Sequence, residues 1–546
     1  MRSWLLAILT LLVGLGVVPA AASADPGSRA DTGPIRPVRA CAELVRDFAI
    51  PGAATHVTAA TVVPAGAEPE HCDVRGFVEP AVNFQLRLPT ASYRGRYLQY
   101  GCGGFCGLIF PTPFRDCGPR VGDFAVAATD DGHVGEGPFP PSDARWAAND
   151  QAARDDFNFR APHVVSVASK RIIAEFYGKP PVASYFDGCS DGGREALLLA
   201  QRYPTDFDGV IAGAPAGMWS PLLLYQAWIA RANTDAAGGP VITAAKLPAL
   251  SAAVLAACDG VDGLTDGQID DPRGCRFDPA TIRCAGADAP TCLTPAQVDA
   301  ARKLYAGPTD ARGTRLYPGA QPFGSELAWD GWIIANPLFG PEPAATGLAD
   351  NYLRYLGYPI GTPHSSLAEV RFSTGELLRL TPEGVDANAM GLDLSAFRRA
   401  GGKVILWHGW ADQGIPPAGT VDYWDRLVDR NGGLRDTQRF ARLFMVPAVF
   451  HCAGGTTLTE FDPLRELVDW VELGRAPERV IATGRDAAGN VTRTRPVFPY
   501  PLRAAYDGSG SIDDAANFVP SRPARSDDRI RWAGEFLYRL PGPVAG

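Results

Sequence analysis

The stretch Ala183-Ser-Tyr-Phe-Asp-Gly-Cys-Ser-Asp-Gly-Gly-Arg-Glu195 decides how this chain folds. Its first half, of small and aromatic residues, is typical of a short buried strand. In residues 195–201 apolar side chains recur at helical spacing. Between them lies Gly-x-Ser-x-Gly, whose glycines allow a sharp turn without a clash at Cβ. The pattern predicts strand, turn and helix, with the Ser190 hydroxyl exposed at the helix N-terminus, where the dipole favours a developing negative charge. A glycine-rich surface loop with an ordinary serine is the alternative, and the strand–helix context argues against it.

The first 24 residues have the features of a secretory signal peptide. Arg2 precedes an apolar run from Trp4 to Val18, and the segment ends in Ala-Ser-Ala24. A basic start, a short hydrophobic run and a small-residue end are typical of a cleaved signal, whereas a membrane anchor needs about 20 apolar residues without that site. No later apolar stretch looks long enough to span a bilayer. We therefore expect a soluble protein that is secreted, to the periplasm or the medium, after cleavage near Ala24.

The charge balance excludes some classes of partner. The chain has 60 acidic against 51 basic residues, a net charge of −9, and the basic residues form no runs. An acidic surface of this kind argues against nucleic acid or an anionic membrane as the partner.

Strand and helix patterns alternate on both sides of a long interruption. Buried strands are predicted near residues 96–100, 124–128 and 209–215, and again at 403–408 and 441–446, with helices between them. This rhythm predicts an α/β fold with a mainly parallel sheet and helices on both faces. Residues 216–395 break the rhythm and are interpreted as an inserted lid domain. The catalytic domain would then comprise residues 25–215 and 396–546.

The two late strands supply partners for Ser190. A serine hydroxyl becomes a good nucleophile when an imidazole takes its proton and a carboxylate fixes that imidazole. In α/β-hydrolases the order along the chain is Ser, acid, His, on loops after sheet strands. Asp412 followed by His451 satisfies both order and position, whereas His364 lies in the predicted lid and His408 precedes the acid.

A glycine-rich loop, Gly101-Cys-Gly-Gly-Phe-Cys-Gly107, follows the strand at residues 96–100. Hydrolases of this architecture place their second oxyanion donor in such a loop, so the N–H groups of Gly103 and Gly104 are candidates. A glycine hairpin fixed by a disulfide among Cys102, Cys106 and Cys117 is the alternative reading.

At these residues the chain resembles the tannase and feruloyl esterase family, over nearly all of its mature length. The most specific motifs are Cys189-Ser190-x-Gly-Gly-Arg194, the segment from Gln201 to Pro215, Gly409-x-x-Asp412 and His451-Cys452. The resemblance implies an α/β-hydrolase fold with a large inserted lid and hydrolysis of feruloyl, galloyl or related aryl esters, either as small molecules or linked to a polysaccharide. It also implies Ser190 as nucleophile, Asp412 as acid and His451 as base.

The same resemblance implies oxyanion donors at the Asp191 N–H and in the Gly103/Gly104 loop. Asp191 departs from the family, where a neutral residue is common at this position. Its backbone N–H can still serve, but its charge would weaken the oxyanion hole if the side chain pointed inward.

A second motif lies in the predicted lid: Asp259-Gly-Val-Asp-Gly-Leu-Thr-Asp-Gly-Gln268. Three carboxylates separated by glycines can surround a hard cation, with backbone carbonyls completing the shell, although metal-free turns are the alternative. The family resemblance implies a structural calcium ion, bound by the carboxylates of Asp259, Asp262 and Asp266 and by the carbonyls of Leu264 and Gln268.

Eleven cysteines are consistent with export to an oxidising compartment. Cys189 and Cys452 each adjoin a proposed catalytic residue, and because those side chains must meet, the two cysteines fall within disulfide distance. Three further pairs are predicted from their positions: Cys41 with Cys72, Cys258 with Cys275, and Cys284 with Cys292.

These features together predict a secreted serine carboxylic-ester hydrolase that acts through an acyl-enzyme. A thioesterase or peptidase with the same triad is one alternative, and an inactive hydrolase-fold binding protein is another. Trp329, Trp332, Arg371 and Phe372 are candidates for lining an acyl pocket, but the sequence alone assigns none of them.

Overall fold

The computed structural model describes residues 33–110, 113–114, 123–337, 340–522 and 530–540. The predicted signal peptide, residues 1–24, and Cys117 both lie outside these ranges.

A ten-stranded sheet forms the centre of the fold. In chain order its strands are β1 (Asp47–Phe48), β2 (Thr55–Val63), β3 (His71–Val78), β4 (Val82–Pro89), β5 (Arg96–Tyr100), β6 (Phe124–Thr129), β7 (Ala183–Cys189), β8 (Gly209–Gly213), β9 (Lys403–Gly409) and β10 (Ala441–Val446). They lie side by side in the order β1-β2-β3-β4-β6-β5-β7-β8-β9-β10. The pairs from β6 to β10 are parallel, which confirms the predicted sheet. The antiparallel extension from β1 to β4 and β6 was not predicted.

Twelve α-helices accompany the sheet in the described residues. They are α1 (Gln151–Asp155), α2 (Ala161–Tyr177), α3 (Asp191–Arg202), α4 (Trp219–Ala232), α5 (Leu247–Cys258), α6 (Pro295–Ala306), α7 (Ala344–Asn351), α8 (Thr374–Ala387), α9 (Ser395–Arg399), α10 (Pro417–Arg430), α11 (Leu434–Thr437) and α12 (Leu464–Leu473). Helices α4 to α9 all fall between β8 and β9, where the sequence rhythm breaks. Two small hairpins follow α12: β11 (Val480–Arg485) with β12 (Val491–Val497), and β13 (Arg503–Tyr506) with β14 (Phe518–Ser521).

The parallel strands are apolar on both faces because both faces are covered. In β8, Val210 and Ala212 belong to one hydrophobic cluster, and Ile211 between them belongs to another. Alternate residues of a strand point to opposite faces, so such strands appear as continuous apolar runs. The first cluster also contains Leu222 and Leu223 of α4, so the inserted segment shares the core of the sheet.

One helical stretch of the described chain, Ala244–Asp262, has the length and hydropathy of a membrane span, although the sequence pattern had indicated none. It joins α5 to a short 3-10 turn at each end, and about a third of it is buried within the protein. The core helix of a soluble protein passes the same test of length and composition.

The topology brings three loops to one edge of the sheet. Strand β7 leads directly into Ser190, β9 into the loop of Asp412, and β10 into the loop of His451. These strands are parallel and nearly adjacent, so their carboxyl ends meet at the same edge, as is usual for sites in open α/β sheets.

Candidate active site

Ser190 occupies a strained turn between β7 and α3. Its φ is 65°, in the left-handed region that a non-glycine residue rarely adopts. The flanking glycines are needed for close packing: a Cβ on Gly188 would lie 2.4 Å from backbone atoms of Gly192. A Cβ on Gly193 would lie 2.3 Å from the carbonyl oxygen of Gly213. The predicted strand–turn–helix therefore forms, and it raises the serine hydroxyl at the start of the helix.

Three side chains form a hydrogen-bonded chain at this edge of the sheet. The Ser190 hydroxyl oxygen lies 2.9 Å from Nε2 of His451. Nδ1 of the same ring lies 2.8 Å from Oδ2 of Asp412. With the proton on Nδ1 donated to Asp412, Nε2 is free to accept the serine proton, as a general base requires.

The Asp412 carboxylate is fully buried and accepts hydrogen bonds at both oxygens. Oδ1 accepts from the backbone N–H groups of Gly414 and Ile415, at 2.7 and 2.8 Å. Oδ2 accepts from His451 and, at 3.1 Å, from His408. Burial alone would raise the pKa of Asp412, but the charge of His451 and the hydrogen bonds from His408 and His451 outweigh it and lower that pKa. The carboxylate therefore stays ionised at neutral pH.

A disulfide joins the serine turn to the histidine loop. It links Cys189 to Cys452, whose Cα atoms lie 5.9 Å apart. Cys452 has a φ of 62°, so both catalytic loops contain a left-handed residue beside or within this bridge. The pairing expected from the adjacency of these cysteines to Ser190 and His451 is the one that the structure contains.

The glycine-rich loop after β5 lies against the start of α3. The N–H of Gly192 donates to the carbonyl of Cys102 at 2.9 Å, and the Cys102 N–H donates to Glu195 at 3.2 Å. Gly104 has a φ of 63°, and a Cβ there would lie 2.3 Å from a carbonyl oxygen of Pro141. A disulfide joins Cys102 to Cys106 and closes the loop on itself.

The Asp191 carboxylate does not face the serine hydroxyl. It pairs with Arg194, Oδ1 to Nε at 2.6 Å, and both side chains are fully buried. Arg194 also donates to the carbonyls of Phe157 and Asn158. The charge of Asp191 is therefore balanced beneath the turn, and its backbone N–H is free at the first position of the helix.

A buried group of ligand atoms that could hold a metal ion lies beneath this loop, formed by Cys102, Cys106, Asp131, Asp191 and Glu195. The disulfide removes both sulfurs as thiolate ligands. Burial and the neighbouring Glu195 charge raise the pKa of Asp131 well above its usual range, and burial raises that of Glu195 to about 7. The positive charge of Arg194, together with a proton retained on these acids, can thus balance their negative charge.

A cavity of about 400 Å³ opens beside Ser190. Asp191, Gly103 and Gly104 line it together with Ser190 and His451. Its remaining wall is largely apolar and comes from both the glycine-rich loop region and the inserted segment, including Phe110, Trp219, Leu222, Leu223, Trp332 and Leu348. Of the four side chains considered from sequence for an acyl pocket, Trp332 lies here, 5.1 Å from the His451 ring. No pattern in the sequence alone indicates which other apolar side chains form this wall.

The acidic motif of the inserted segment forms a compact loop. Oδ1 of Asp259 accepts the N–H groups of Asp266 and Gln268, and Oδ1 of Asp262 accepts that of Leu264. Asp266 pairs through Oδ2 with Arg495 at 2.6 Å. Its other oxygen, Oδ1, is buried without a protein hydrogen-bond partner. That buried oxygen suits a hard cation, whose preferred ligands are oxygens, but among the described residues the three carboxylates do not bring ligand atoms within 4.8 Å of one another.

The other predicted cysteine pairs are also joined, Cys41 to Cys72, Cys258 to Cys275 and Cys284 to Cys292. The sequence left the pairing among Cys102, Cys106 and Cys117 open, and the structure pairs the first two.

Comparison with known proteins agrees with this architecture. The sequence profile described as Tannase and feruloyl esterase matches residues 67–520. An uncharacterized esterase of Xanthomonas campestris pv. campestris is 34% identical, with 88% of this chain and 91% of the relative covered. The mono(2-hydroxyethyl) terephthalate hydrolase of Piscinibacter sakaiensis is 33% identical, with 89% and 92% covered. The crystal structure of feruloyl esterase B from Aspergillus oryzae superposes with a TM-score of 0.74 at 26% identity, covering 86% of this chain and 97% of that one.

The match spans sheet strands β3 to β10, the inserted segment and the serine, aspartate and histidine loops. This chain belongs to the tannase and feruloyl esterase family of carboxylic-ester hydrolases.

Proposed function

We propose that this esterase cleaves esters of aromatic acids through an acyl-enzyme on Ser190. The observation that carries the proposal is the continuous chain from Ser190 through His451 to Asp412, with distances of 2.9 and 2.8 Å. It opens onto a cavity with aromatic and aliphatic walls. The names of the relatives, which include feruloyl esterases and a terephthalate monoester hydrolase, support an aromatic acyl group.

The reaction follows from the positions of these groups. Nε2 of His451 takes the proton of Ser190 as its oxygen attacks the ester carbonyl, and Asp412 stabilises the imidazolium that forms. The N–H groups of Asp191 and of Gly103 or Gly104 would hold the oxyanion. His451 then gives its proton to the leaving alcohol. Water, deprotonated by the same nitrogen, attacks the acyl-enzyme and releases the acid.

The cavity supports an aromatic acyl group on physical grounds. Ring carbons transferred from water to an apolar wall contribute about 25 cal/mol per Å² of buried surface. Gln226, a polar residue in the wall, uses its amide within the protein: it donates to the Gly414 carbonyl at 2.7 Å and accepts from Trp332 at 3.0 Å. The wall therefore presents mainly hydrocarbon and ring surface to a substrate.

The test compares Ser190→Ala and His451→Ala with His364→Ala on feruloyl, galloyl and terephthaloyl esters. His364 is a partly exposed histidine of the inserted segment and serves as the matched control. We expect loss of hydrolysis by at least about 10³-fold for the first two variants and full activity for the third. A fluorophosphonate probe should label the wild type and His364→Ala but not Ser190→Ala. Comparable turnover by Ser190→Ala would refute the assignment.

The acidic loop would bind calcium through the carboxylates of Asp259, Asp262 and Asp266 and the carbonyls of Leu264 and Gln268. The ion would supply positive charge that holds the loop together. We give it no part in the chemistry. The loop is tied to the β11–β12 hairpin, since Asp266 also accepts hydrogen bonds from Arg493 of β12. Binding there would stabilise the contact between the inserted segment and this hairpin.

We also propose that residues 216–395 act as a lid and that the protein is exported. Residues of α4 and α7 wall the cavity, so this segment would cover the bound acyl group. Five disulfides among the described residues fit an oxidising compartment. The signal peptide ending near Ala24 would direct the chain there, which N-terminal sequencing of secreted protein would test.

A further inference from the structure

A second histidine binds the acid of the catalytic chain. His408, the penultimate residue of β9, is fully buried, and its Nε2 lies 3.1 Å from Oδ2 of Asp412. The same nitrogen lies 2.8 Å from the carbonyl oxygen of Ile415. Both neighbours are acceptors, so Nε2 must carry a proton and donate it.

The other ring nitrogen fixes this arrangement. Nδ1 of His408 lies 2.8 Å from the hydroxyl oxygen of Thr420, on the first turn of α10. A neutral ring with its proton on Nε2 accepts at Nδ1, and a threonine hydroxyl can donate there. Thr420 therefore selects the tautomer that donates to Asp412.

We propose that His408, held by Thr420, is a positioning residue that orients the Asp412 carboxylate toward His451. The proposal rests on the function proposed above for Ser190, His451 and Asp412. Oδ2 of Asp412 accepts from two imidazoles, one on strand β9 and one in the loop after β10, and Oδ1 accepts from two backbone N–H groups. Four donors fix both the position and the plane of the carboxylate, so His451 meets it in one orientation.

A packing role alone would have different consequences. His408 spans the loop that carries Asp412, since it bonds Ile415 beyond the acid and Thr420 in the following helix. Replacement by any residue could loosen this loop and lower activity through stability. A positioning role also changes the charge that His451 experiences, and the pH profile reports that change.

The direction of the pH effect follows from the hydrogen bond. A donor on Oδ2 disperses the negative charge of Asp412, so its removal leaves a stronger charge beside His451. A stronger negative charge beside a general base favours its protonated form, so the acid limb of kcat/KM should move to higher pH. Among the described residues, the phenols of Tyr225 and Tyr317 also interact electrostatically with Asp412. Burial raises the pKa of both, so they stay neutral over the range of the assay.

The experiment compares four variants of the full-length protein on one ester. His408→Leu removes the donor. His408→Gln restores one, because its amide nitrogen stands as many bonds from Cβ as Nε2 does, whereas the shorter His408→Asn falls short. Thr420→Val removes the hydroxyl that fixes the tautomer and keeps the shape.

We expect His408→Leu and His408→Asn to lower kcat about tenfold with KM nearly unchanged. Their acid limb should move up by about half a pH unit. The kcat of His408→Gln should stay within about threefold of the wild-type value, with the acid limb at the wild-type pH. The kcat and acid limb of Thr420→Val should lie between those of His408→Gln and His408→Leu. Thermal scans and fluorophosphonate labelling establish that each variant is folded.

Two results would overturn the proposal. One is an equal loss of kcat in His408→Gln and His408→Asn with the wild-type pH limb in both, which is the packing outcome. The other is wild-type kcat in folded His408→Leu. If His408→Leu does not fold, the Gln and Asn pair decides alone. An inactive wild type would instead contradict the proposed function.

Discussion

Removal of the Cys189–Cys452 bridge should cost both stability and turnover. The bridge joins residues 263 apart in sequence, and the chain-entropy treatment of such a loop gives about 5.5 kcal/mol of stabilisation. For a chain of 546 residues, the unfolding entropy is roughly 1.1 kcal/mol per kelvin. The double variant Cys189→Ala/Cys452→Ala should therefore melt about 5 °C lower than the wild type.

The bridge Cys284–Cys292 provides a matched control. It joins residues only 8 apart in the inserted segment, for which the same treatment gives about 2.5 kcal/mol, or about 2 °C. Its removal should leave kcat unchanged. Removal of the bridge between the catalytic loops should lower kcat about tenfold or more, because Ser190 and Cys452 hold left-handed backbone that costs roughly 1–3 kcal/mol each. Without the bridge these loops can relax and separate the serine from His451.

The assay pairs thermal scans with turnover on an aryl ester, after peptide mapping without reduction has located the bridges. Both double variants are measured at the same pH and protein concentration. The reasoning is refuted if Cys189→Ala/Cys452→Ala keeps wild-type kcat and melts no lower than Cys284→Ala/Cys292→Ala. Free thiols at Cys189 and Cys452 in the wild type, found by the peptide mapping, would refute it before the variants are made.

Two further predictions concern the inserted segment. Chelation should lower the melting temperature, because an ion present at about 100 times its Kd stabilises the folded state by roughly 2.7 kcal/mol. Asp262→Ala should lose this response to chelation, whereas the exposed control Asp299→Ala should keep it. Purified protein without near-stoichiometric calcium would contradict the site. Burial raises the pKa of Glu326 to about 7, against hydrogen bonds from Gly324 and Tyr305 that lower it. The folded state thus holds a proton that the unfolded state releases above about pH 4.5, so the free energy of unfolding should fall as pH rises from about 4.5 to 7, by on the order of 3 kcal/mol. Glu326→Gln should flatten that decline in urea titrations, and an unchanged slope would show that Glu326 is ionised when folded.

Local sequence predicted the elements that carry the catalytic chain. Strands β5 and β10 have the predicted bounds, and β7, β8 and β9 differ from them by a few residues at most. The early antiparallel strands were missed even though β4 alternates apolar and polar residues, a pattern typical of a strand with one buried face.

The sequence by itself determined the order of the site: a serine in a glycine turn, then an acid, then a histidine, each after a buried strand. Strand and turn depend on short-range sterics and on hydrophobic spacing, and parallel strands bring their ends to one edge, so chain order is enough to bring Ser190, Asp412 and His451 together. Only the tertiary structure decided that Asp191 turns toward Arg194 and that His408 donates to Asp412. Those choices depend on which buried polar atoms find partners across elements far apart in the chain, and an unpaired buried polar group costs roughly 1–3 kcal/mol, so packing in three dimensions settles what no local pattern contains.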